Sequence, residues 1–354
     1  MKLIYLLHSG QLFGTERMAL ATLLELQATA DPVILAPAGP IHAAAQALGV
    51  RTHVLSGARS MATALWRELR SDRQAAVLAT GVGQSLVASV VRLLARGQGP
   101  HLHVVHGGTD ERLSYGRKRW LNGADIRFVA VSEFVRDRLL AHGVPADRIA
   151  VVHNFLHGRP PAERGPFTQD GVRRVVMLSR LDRIKRVGLL FDALDRTPAL
   201  RDMHFDLYGS GELQAELAAR AARHPNVRLM GFQAQASAAL ADADLLLHTC
   251  PEEPFGLVML EAFAAGVPVL APNAGGAAII VRPGVSGFHF TANNPAALGQ
   301  ALQALQTAPA ALLQAMTDGG RAALRERFSP RQQAMRYAQL AGLTGLTGPA
   351  GLPA

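Results

Sequence analysis

Cysteine is nearly absent. Cys250 stands alone in 354 residues, which excludes an intrachain disulfide and any zinc site built from cysteines. Lysine is almost as scarce, with only Lys2, Lys118 and Lys185 among 36 Lys and Arg. No apolar run approaches the ~18 residues of a membrane span. Lys2 is followed by only Leu3 to Leu7 before His8, a run too short for the apolar core of a signal peptide and suited to a first buried strand. A soluble cytoplasmic protein is therefore expected. No G-x-x-x-x-G-K-[ST] stretch occurs, so P-loop chemistry is excluded. With 49% hydrophobic and 18% charged residues, disorder is excluded as well.

The basic balance is unevenly placed. The net charge is +9; residues 1–160 hold 18 Lys/Arg against 11 Asp/Glu, whereas residues 161–354 hold 18 against 16. A basic N-terminal half suits an anionic partner. Heavy Arg, Ala, Leu and Gly usage, as in a GC-rich genome, explains it equally well. The expected contact with an anionic membrane surface is "SMATALWRELRSDR" (60–73), where Leu65, Trp66 and Leu69 lie near Arg67, Arg70 and Arg73. Basic and aromatic residues also mix in "RLSYGRKRW" (112–120). No nucleic-acid-binding module surrounds that stretch, so no nucleic acid partner is expected.

Short apolar strands alternate with helical patterns: strands at 2–7, 32–36, 52–55, 75–79, 101–105, 127–131 and 149–152, with helices such as 16–26 and 85–95 between them. The pattern lapses between 153 and 172 into Pro, Gly and charge, which reads as a linker. It restarts with strands at 174–178, 204–208, 227–230, 244–247 and 267–270. The expected fold is α/β, two Rossmann-like domains with parallel sheets covered on both faces, facing across a cleft. In such sheets ligands bind beyond the carboxyl ends of the strands, so chemistry is sought in the residues just after each strand.

"LYGSGELQ" follows a strand, but Gln214 stands where a dinucleotide fingerprint needs its third glycine, and no acidic residue follows at ~20 residues. A tight strand-to-helix turn is the better reading. "MLSRLDRIKR" places Arg180 and Lys185 in one loop after a strand, and two cations there suit a pyrophosphate. "PEEPFGLVMLEAFAAGVPVLA" (251–271) reads as a helix apolar nearly all round, ended by Gly266 and Pro268 and followed by a buried strand. Glu261 sits in its second turn and Glu253 just before it. A buried carboxylate needs a partner, and vicinal sugar hydroxyls, or water while the site is empty, would supply one. The N–H groups of Phe255, Gly256 and Leu257 open that helix toward phosphate or sugar oxygens.

Glu253 and Glu261 form an E-x7-E pair that resembles the signature of the retaining glycosyltransferases of family 4 (glycosyl transferases group 1), which have the GT-B fold. "LSRLDRIKR" resembles that family's R-x4-K donor-phosphate loop, 129–155 the approach to its interdomain hinge, and "FSPRQQAMRYAQL" its C-terminal helix, which crosses back onto the N-terminal domain. The resemblance implies an acceptor domain over 1–160, a nucleotide-sugar donor domain over 161–328, a returning helix over 329–345 and a frayed tail over 346–354. Carried over by residue, Arg180 and Lys185 would neutralise the diphosphate of a UDP- or GDP-linked sugar. Glu261 would bind ribose and Glu253 the transferred sugar, with Phe255, Gly256 and Leu257 offering backbone N–H groups. His106 would sit under the donor sugar at the reaction centre, and Gly14 would let the chain approach the diphosphate. Two departures stand out: Phe13 replaces the first of a glycine pair, and Ile279 occupies the place of a Glu after "GG".

The implied activity is metal-independent, retaining sugar transfer, with no cofactor, to a glycan or lipid-linked acceptor. The enzyme would be cytoplasmic or peripheral at the inner face of the membrane, in polysaccharide or glycolipid biosynthesis. The rivals are a nucleotide-sugar epimerase of the same fold and a non-catalytic donor-binding partner subunit.

Overall fold

The computed structural model describes residues 1–107, 111–158, 162–233 and 236–343. The tail 346–354, the loop residues 108–110 and the linker residues 159–161 lie outside them. The chain divides into two units. One comprises Met1–His157 with the segment from Ser329 onward, the other Gly158–Phe328.

The first unit is built on seven parallel strands: β1 (Lys2–Leu6), β2 (Asp31–Pro37), β3 (Arg51–Leu55), β4 (Ala76–Ala79), β5 (His101–Val105), β6 (Arg127–Ala130) and β7 (Ile149–Val151), in the order β3-β2-β1-β4-β5-β6-β7. β1 lies between β2 and β4, with Ile4 opposite both Val33 and Val77. Helices cover both faces, so the central strands read as unbroken apolar runs rather than alternating ones. Ile4, Leu6, Val33, Leu35 and Val77 form one core layer with Leu65 and Leu69 of the helix Ala58–Ser71.

That packing takes Leu65 and Leu69 out of the expected membrane contact over 60–73. Leu65 and Leu69 are fully buried, and only Trp66 of the expected apolar trio is exposed. Leu65 and Leu69 lie four residues apart on one helix face, and the sheet claims that face.

The helix Pro330–Leu340 returns to this first unit and packs on the helix Gly14–Leu26. Gln333 Oε1 accepts the His153 N–H at 3.0 Å, and Tyr337 is buried.

The second unit holds β8 (Arg174–Leu178), β9 (His204–Tyr208), β10 (Val227–Gly231), β11 (Leu245–Leu247), β12 (Val269–Pro272) and β13 (Gly287–Phe290), all parallel in the order β10-β9-β8-β11-β12-β13. Phe191, Phe205, Leu190, Leu298 and Leu302 fill its core. The sequence pattern did not anticipate β13, "GFHF", which is four residues long, opens on glycine and is half-buried at Phe288 and His289. The Pro- and Gly-rich stretch is packed structure from residue 162 on. The Arg164 N–H donates to Ala265 O at 2.7 Å, its guanidinium pairs with Asp244 at 2.8 Å, and Phe167 enters the core. Among the described residues no helix is long and apolar enough to cross a membrane.

Candidate active site

Strand order reverses direction in sequence between β8 and β11 in the second unit, and between β1 and β4 in the first. These are the switch points where an open α/β sheet leaves a crevice.

At the β8–β11 switch point two loops meet. After β8 the chain runs through Arg180 to a single helical turn, Arg183–Lys185, and Arg186 leaves it at φ 53. After β11 come His248, Thr249 and Cys250, then Glu253 and the helix Leu257–Ala265. Thr249 Oγ1 donates to Lys185 O at 2.7 Å, tying the loops together, and Lys185 Nζ lies 2.6 Å from Glu253 Oε2.

The buried carboxylate of the 251–271 stretch is thus Glu253, and a protein cation meets it. Glu261 is only half-buried. Leu257, Val258, Glu261 and Ala264 form a half-exposed face of the helix, while Met259, Leu260, Ala262, Phe263 and Ala265 are buried. The helix is therefore not enclosed all round. Its uniform apolarity hid the one face, at i, i+1, i+4 and i+7, that looks away from the core.

Electrostatics bind the pair. Burial alone would raise Glu253, but Lys185, His248 and Arg180 together hold its carboxyl below the ordinary value. Burial pulls Lys185 down, and Glu253 more than offsets that, so its ammonium is held above the ordinary value. Arg180 is exposed and pairs with Asp182 of its own loop at 2.9 Å. Phe255 is anchored edge-on against Phe328, ring centroids 5.7 Å apart.

Two glycine features shape this crevice, the tight turn expected at "GSG" and the "AGG" stretch. Gly209 has φ +139, and a Cβ there would overlap the Ser179 carbonyl oxygen; the "GSG" turn thus lets β9 end against the Arg180 loop. Gly275, at φ +64, lies against Pro251 O, and the next N–H, from Gly276, donates to Glu253 O at 2.6 Å. "AGG" therefore clamps the Glu253 loop through its backbone, whatever side chain stands at Ile279.

His248, Cys250 and Glu253 place their ligand atoms within 4.8 Å of one another, a grouping the sequence reading did not make. A metal would have to displace Lys185 from Glu253. Burial also pushes the Cys250 thiol up to about 11, away from the thiolate that a metal would need, while His248, taken down to about 4 by burial, is neutral. Lys185 Nζ lies on the carboxylate that this grouping would offer a metal.

The first unit carries His106 and Gly14. His106 follows β5; burial, with His8 nearby, takes its imidazole to about 3, and its Nε2 is buried without a hydrogen-bond partner. Gly14 opens the helix Gly14–Leu26, and the Phe13 N–H before it donates to Glu16 Oε2 at 3.2 Å. At the β1–β4 switch point His8 Nδ1 lies 2.8 Å from Thr80 Oγ1. Lys118, in the turn Gly116–Leu121, is buried without a carboxylate partner among the described residues, and desolvation brings it to about 8. Its charge lowers both His8 and His103, which are also shifted by burial. Lys118 and the His8–Thr80 pair were missed from sequence. Lysine scarcity was the available signal, since two of the three lysines in an arginine-rich chain, Lys118 and Lys185, are drawn away from solvent.

Residues 14–157 match the family model described as Glycosyltransferase Family 4, and residues 172–308 the one described as Glycosyl transferases group 1. A glycogen synthase of Mycobacterium tuberculosis is 29% identical over 237 residues, 64% of this chain and 56% of that protein. A D-inositol 3-phosphate glycosyltransferase of Streptomyces bingchenggensis is 31% identical over 216 residues, 54% of this chain and 47% of that protein. The match thus spans about half the length of these relatives. Among solved structures, Anabaena HepE in complex with UDP-glucose superposes with a TM-score of 0.80 at 21% identity, over 96% of this chain and 99% of that one. A glycosyltransferase from Rickettsia africae gives 0.78 at 18% identity, over 96% and 97%. These likenesses show the fold, which is GT-B.

Proposed function

This chain belongs to the family-4, group 1 glycosyltransferases, and on that premise we propose that it is a retaining, metal-independent hexosyltransferase using a UDP- or GDP-linked sugar and a glycan or lipid-linked acceptor. The observation that carries the reading is the Lys185–Glu253 pair at the β8–β11 switch point, 2.6 Å between charges and largely buried. Binding of UDP-glucose by HepE, a protein of the same fold, supports a nucleotide-sugar donor.

A leaving diphosphate develops charge that must be met where it forms. Arg180, Lys185 and the N-terminus of the helix Leu257–Ala265 supply that compensation, the helix through its N-terminal backbone and dipole. Gly14, at the start of its own helix, lets backbone come near the diphosphate. Lys185 holds one oxygen of Glu253. Its other oxygen, Oε1, accepts no hydrogen bond among the described residues and is placed to take the hydroxyls of the transferred sugar. Glu261, on the half-exposed helix face, takes the ribose hydroxyls, and Phe255, Gly256 and Leu257 offer N–H groups.

His106 is neutral at physiological pH, so it serves the sugar as a hydrogen-bond partner and not as a proton relay. Front-face displacement suits this set, in which no side chain is assigned as a nucleophile. The acceptor belongs to the first unit, where a buried ammonium without a carboxylate partner among the described residues, Lys118, suits an anionic group on it.

The test is turnover of sugar nucleotides with an acceptor panel, followed by NMR of the product's anomeric configuration. Turnover is expected to persist in EDTA with the configuration retained. Activity lost to the chelator and restored by Mg²⁺ or Mn²⁺ overturns the roles given to Arg180 and Lys185. Donor isomerised without acceptor identifies an epimerase, and donor bound but never consumed identifies an idle partner.

A further inference from the structure

Lys118 is held out of solvent, 8% exposed, and no carboxylate acts on it among the described residues. An ammonium in that position is costly until a polar group meets it. Its turn, Gly116–Leu121, packs on the helix Val82–Ala95, which starts just after β4. Two histidines bracket the start of that helix, and the Lys118 charge reaches both. His8, after β1, stands against Gly81, where an added Cβ would lie 3.3 Å from that of His8. His103, in β5, has its Nδ1 2.7 Å from Ser85 Oγ in the first turn of the helix, and its buried Nε2 has no partner. Lys118 is thereby fixed beside the helix start from two sides.

The helix start is open. No side chain caps it, and its first turn holds no acidic residue. The N–H groups of Val82, Gly83 and Gln84 donate to no acceptor among the described residues, and no atom lies within 4 Å of where a Gly83 Cβ would stand. Such a terminus attracts anions through its N–H groups and dipole. Thr80 then sets the His8 ring. Its Oγ1 accepts the His8 backbone N–H at 3.1 Å and lies 2.8 Å from His8 Nδ1. With no other acceptor among the described residues, the hydroxyl gives its proton to Nδ1, and the neutral ring carries its own proton on Nε2. Desolvation and the Lys118 charge hold that ring below its ordinary value, so it stays a neutral donor at pH 7. Ammonium, imidazole N–H and helix N–H groups approach from three elements. Three donor directions suit the three oxygens of a phosphate better than the two of a carboxylate.

We propose, resting on the reading that the first unit takes the acceptor, that His8, Lys118 and the N-terminus of the helix Val82–Ala95 bind a phosphate group on that acceptor. The enzyme then selects phosphate-bearing acceptors over neutral ones. Thr80 is a positioning residue that acts through His8. His106 lies within electrostatic reach of His8, so a phosphate held here keeps its acceptor beside the residue that serves the transferred sugar.

The scarcity of lysine supplies the reporter. NMR of the full chain with isotope-labelled lysine has three side-chain signals, from Lys2, Lys118 and Lys185, and Lys118→Met assigns one of them by its loss. Inorganic phosphate and a hexose phosphate should each move the Lys118 signal saturably, and glucose should leave it in place. His8→Ala keeps the reporter and should weaken phosphate by roughly tenfold or more, the worth of a charged hydrogen bond. Thr80→Val should also weaken it, and Thr80→Ser should restore it. In turnover, Lys118→Met should raise KM for phosphorylated acceptors by roughly the same factor and spare kcat, with neutral acceptors unaffected. A Lys118 signal that phosphate moves no more than that of Lys2 overturns the proposal. A signal that follows glucuronate as well as phosphate overturns it in favour of a carboxylate acceptor. One that follows UDP, with phosphate then excluded, overturns it by making Lys118 part of donor binding. The Lys185 signal reports UDP in the β8–β11 crevice separately, so failure of the donor reading and failure of this one are told apart.

Discussion

At the residue scale, the β8–β11 crevice turns on Glu253 being met by Lys185. The pair couples two roles that the resemblance assigns to different parts of the donor. Glu253→Gln leaves Lys185 buried without its counter-charge, and breaking such a pair costs ~3–5 kcal/mol. It should therefore lower thermal stability and weaken a bare nucleoside diphosphate as well as the sugar nucleotide. A Glu253→Gln, Lys185→Met cycle by calorimetry should show coupling of ~1 kcal/mol or more; additive losses would mean that the 2.6 Å contact carries no energy. Glu261→Gln should weaken both ligands by a similar ~10- to 150-fold, the worth of a charged hydrogen bond, without lowering the melting temperature.

Lys118 gives the opposite stability signature. Its folded value of about 8 lies below the ordinary 10.5, so between those pH values the unfolded chain binds more protons and stability rises with pH. Lys118→Met should be more stable than the parent at pH 7, and the gap should close by up to about 1.4 kcal/mol per pH unit through that window. A constant gap would place the ammonium in solvent. Loss of affinity for an acidic acceptor in the same variant would support its role in binding.

At the scale of elements, glycine at the end of β9 sets the loop that carries Arg180 and Lys185. Gly209→Ala would need a side chain at φ +139 and would drive its Cβ into Ser179 O, at a cost of ~1–3 kcal/mol. The loop 179–185 must shift to accommodate it. Differential scanning fluorimetry should show a lower melting temperature, and nucleoside diphosphate affinity should fall with Arg180 and Lys185 untouched. A variant with unchanged affinity would show that the loop holds its place without the turn. The helix Leu257–Ala265 teaches the related lesson that composition cannot rank its faces. Its side chains are apolar apart from Glu261, and only the packing decides which ones stay half-exposed.

At the scale of the whole molecule, acid sensitivity is built in. His101 and His106 are held near about 3 and His248 near about 4, each chiefly by burial, and His103 lies well below its ordinary value for the same reason. Unfolding frees these imidazoles to take protons below about 6.5. The unfolded chain therefore binds more protons as pH falls from there toward 4, and stability falls with pH. The slope is about 1.4 kcal/mol per pH unit for each imidazole that unfolding protonates. Glu133, held near about 2 mainly by its hydrogen bond to His153, adds a further loss below the ordinary carboxylate range. Melting temperatures from pH 7 to pH 4 should drop steeply, and a flat profile would mean that the histidines are solvated in the folded state.

The sequence by itself determined the α/β alternation, the two parallel sheets, the placing of Arg180, Lys185 and Glu253 just beyond strand ends, and the C-cap at Gly266. Each follows from local rules: apolar runs of strand length, glycine where φ is positive, and cations or carboxylates after a strand. Tertiary structure alone decided which carboxylate is buried, that Lys185 meets it, and that the leucines of 60–73 belong to the core while those of 86–94 face outward. Both leucine sets have helical spacing, and periodicity defines a face without saying what lies against it. Pairing between Lys185 and Glu253, or between β12 and β13, joins residues far apart in the chain, and their energies arise only once the sheet order brings them together.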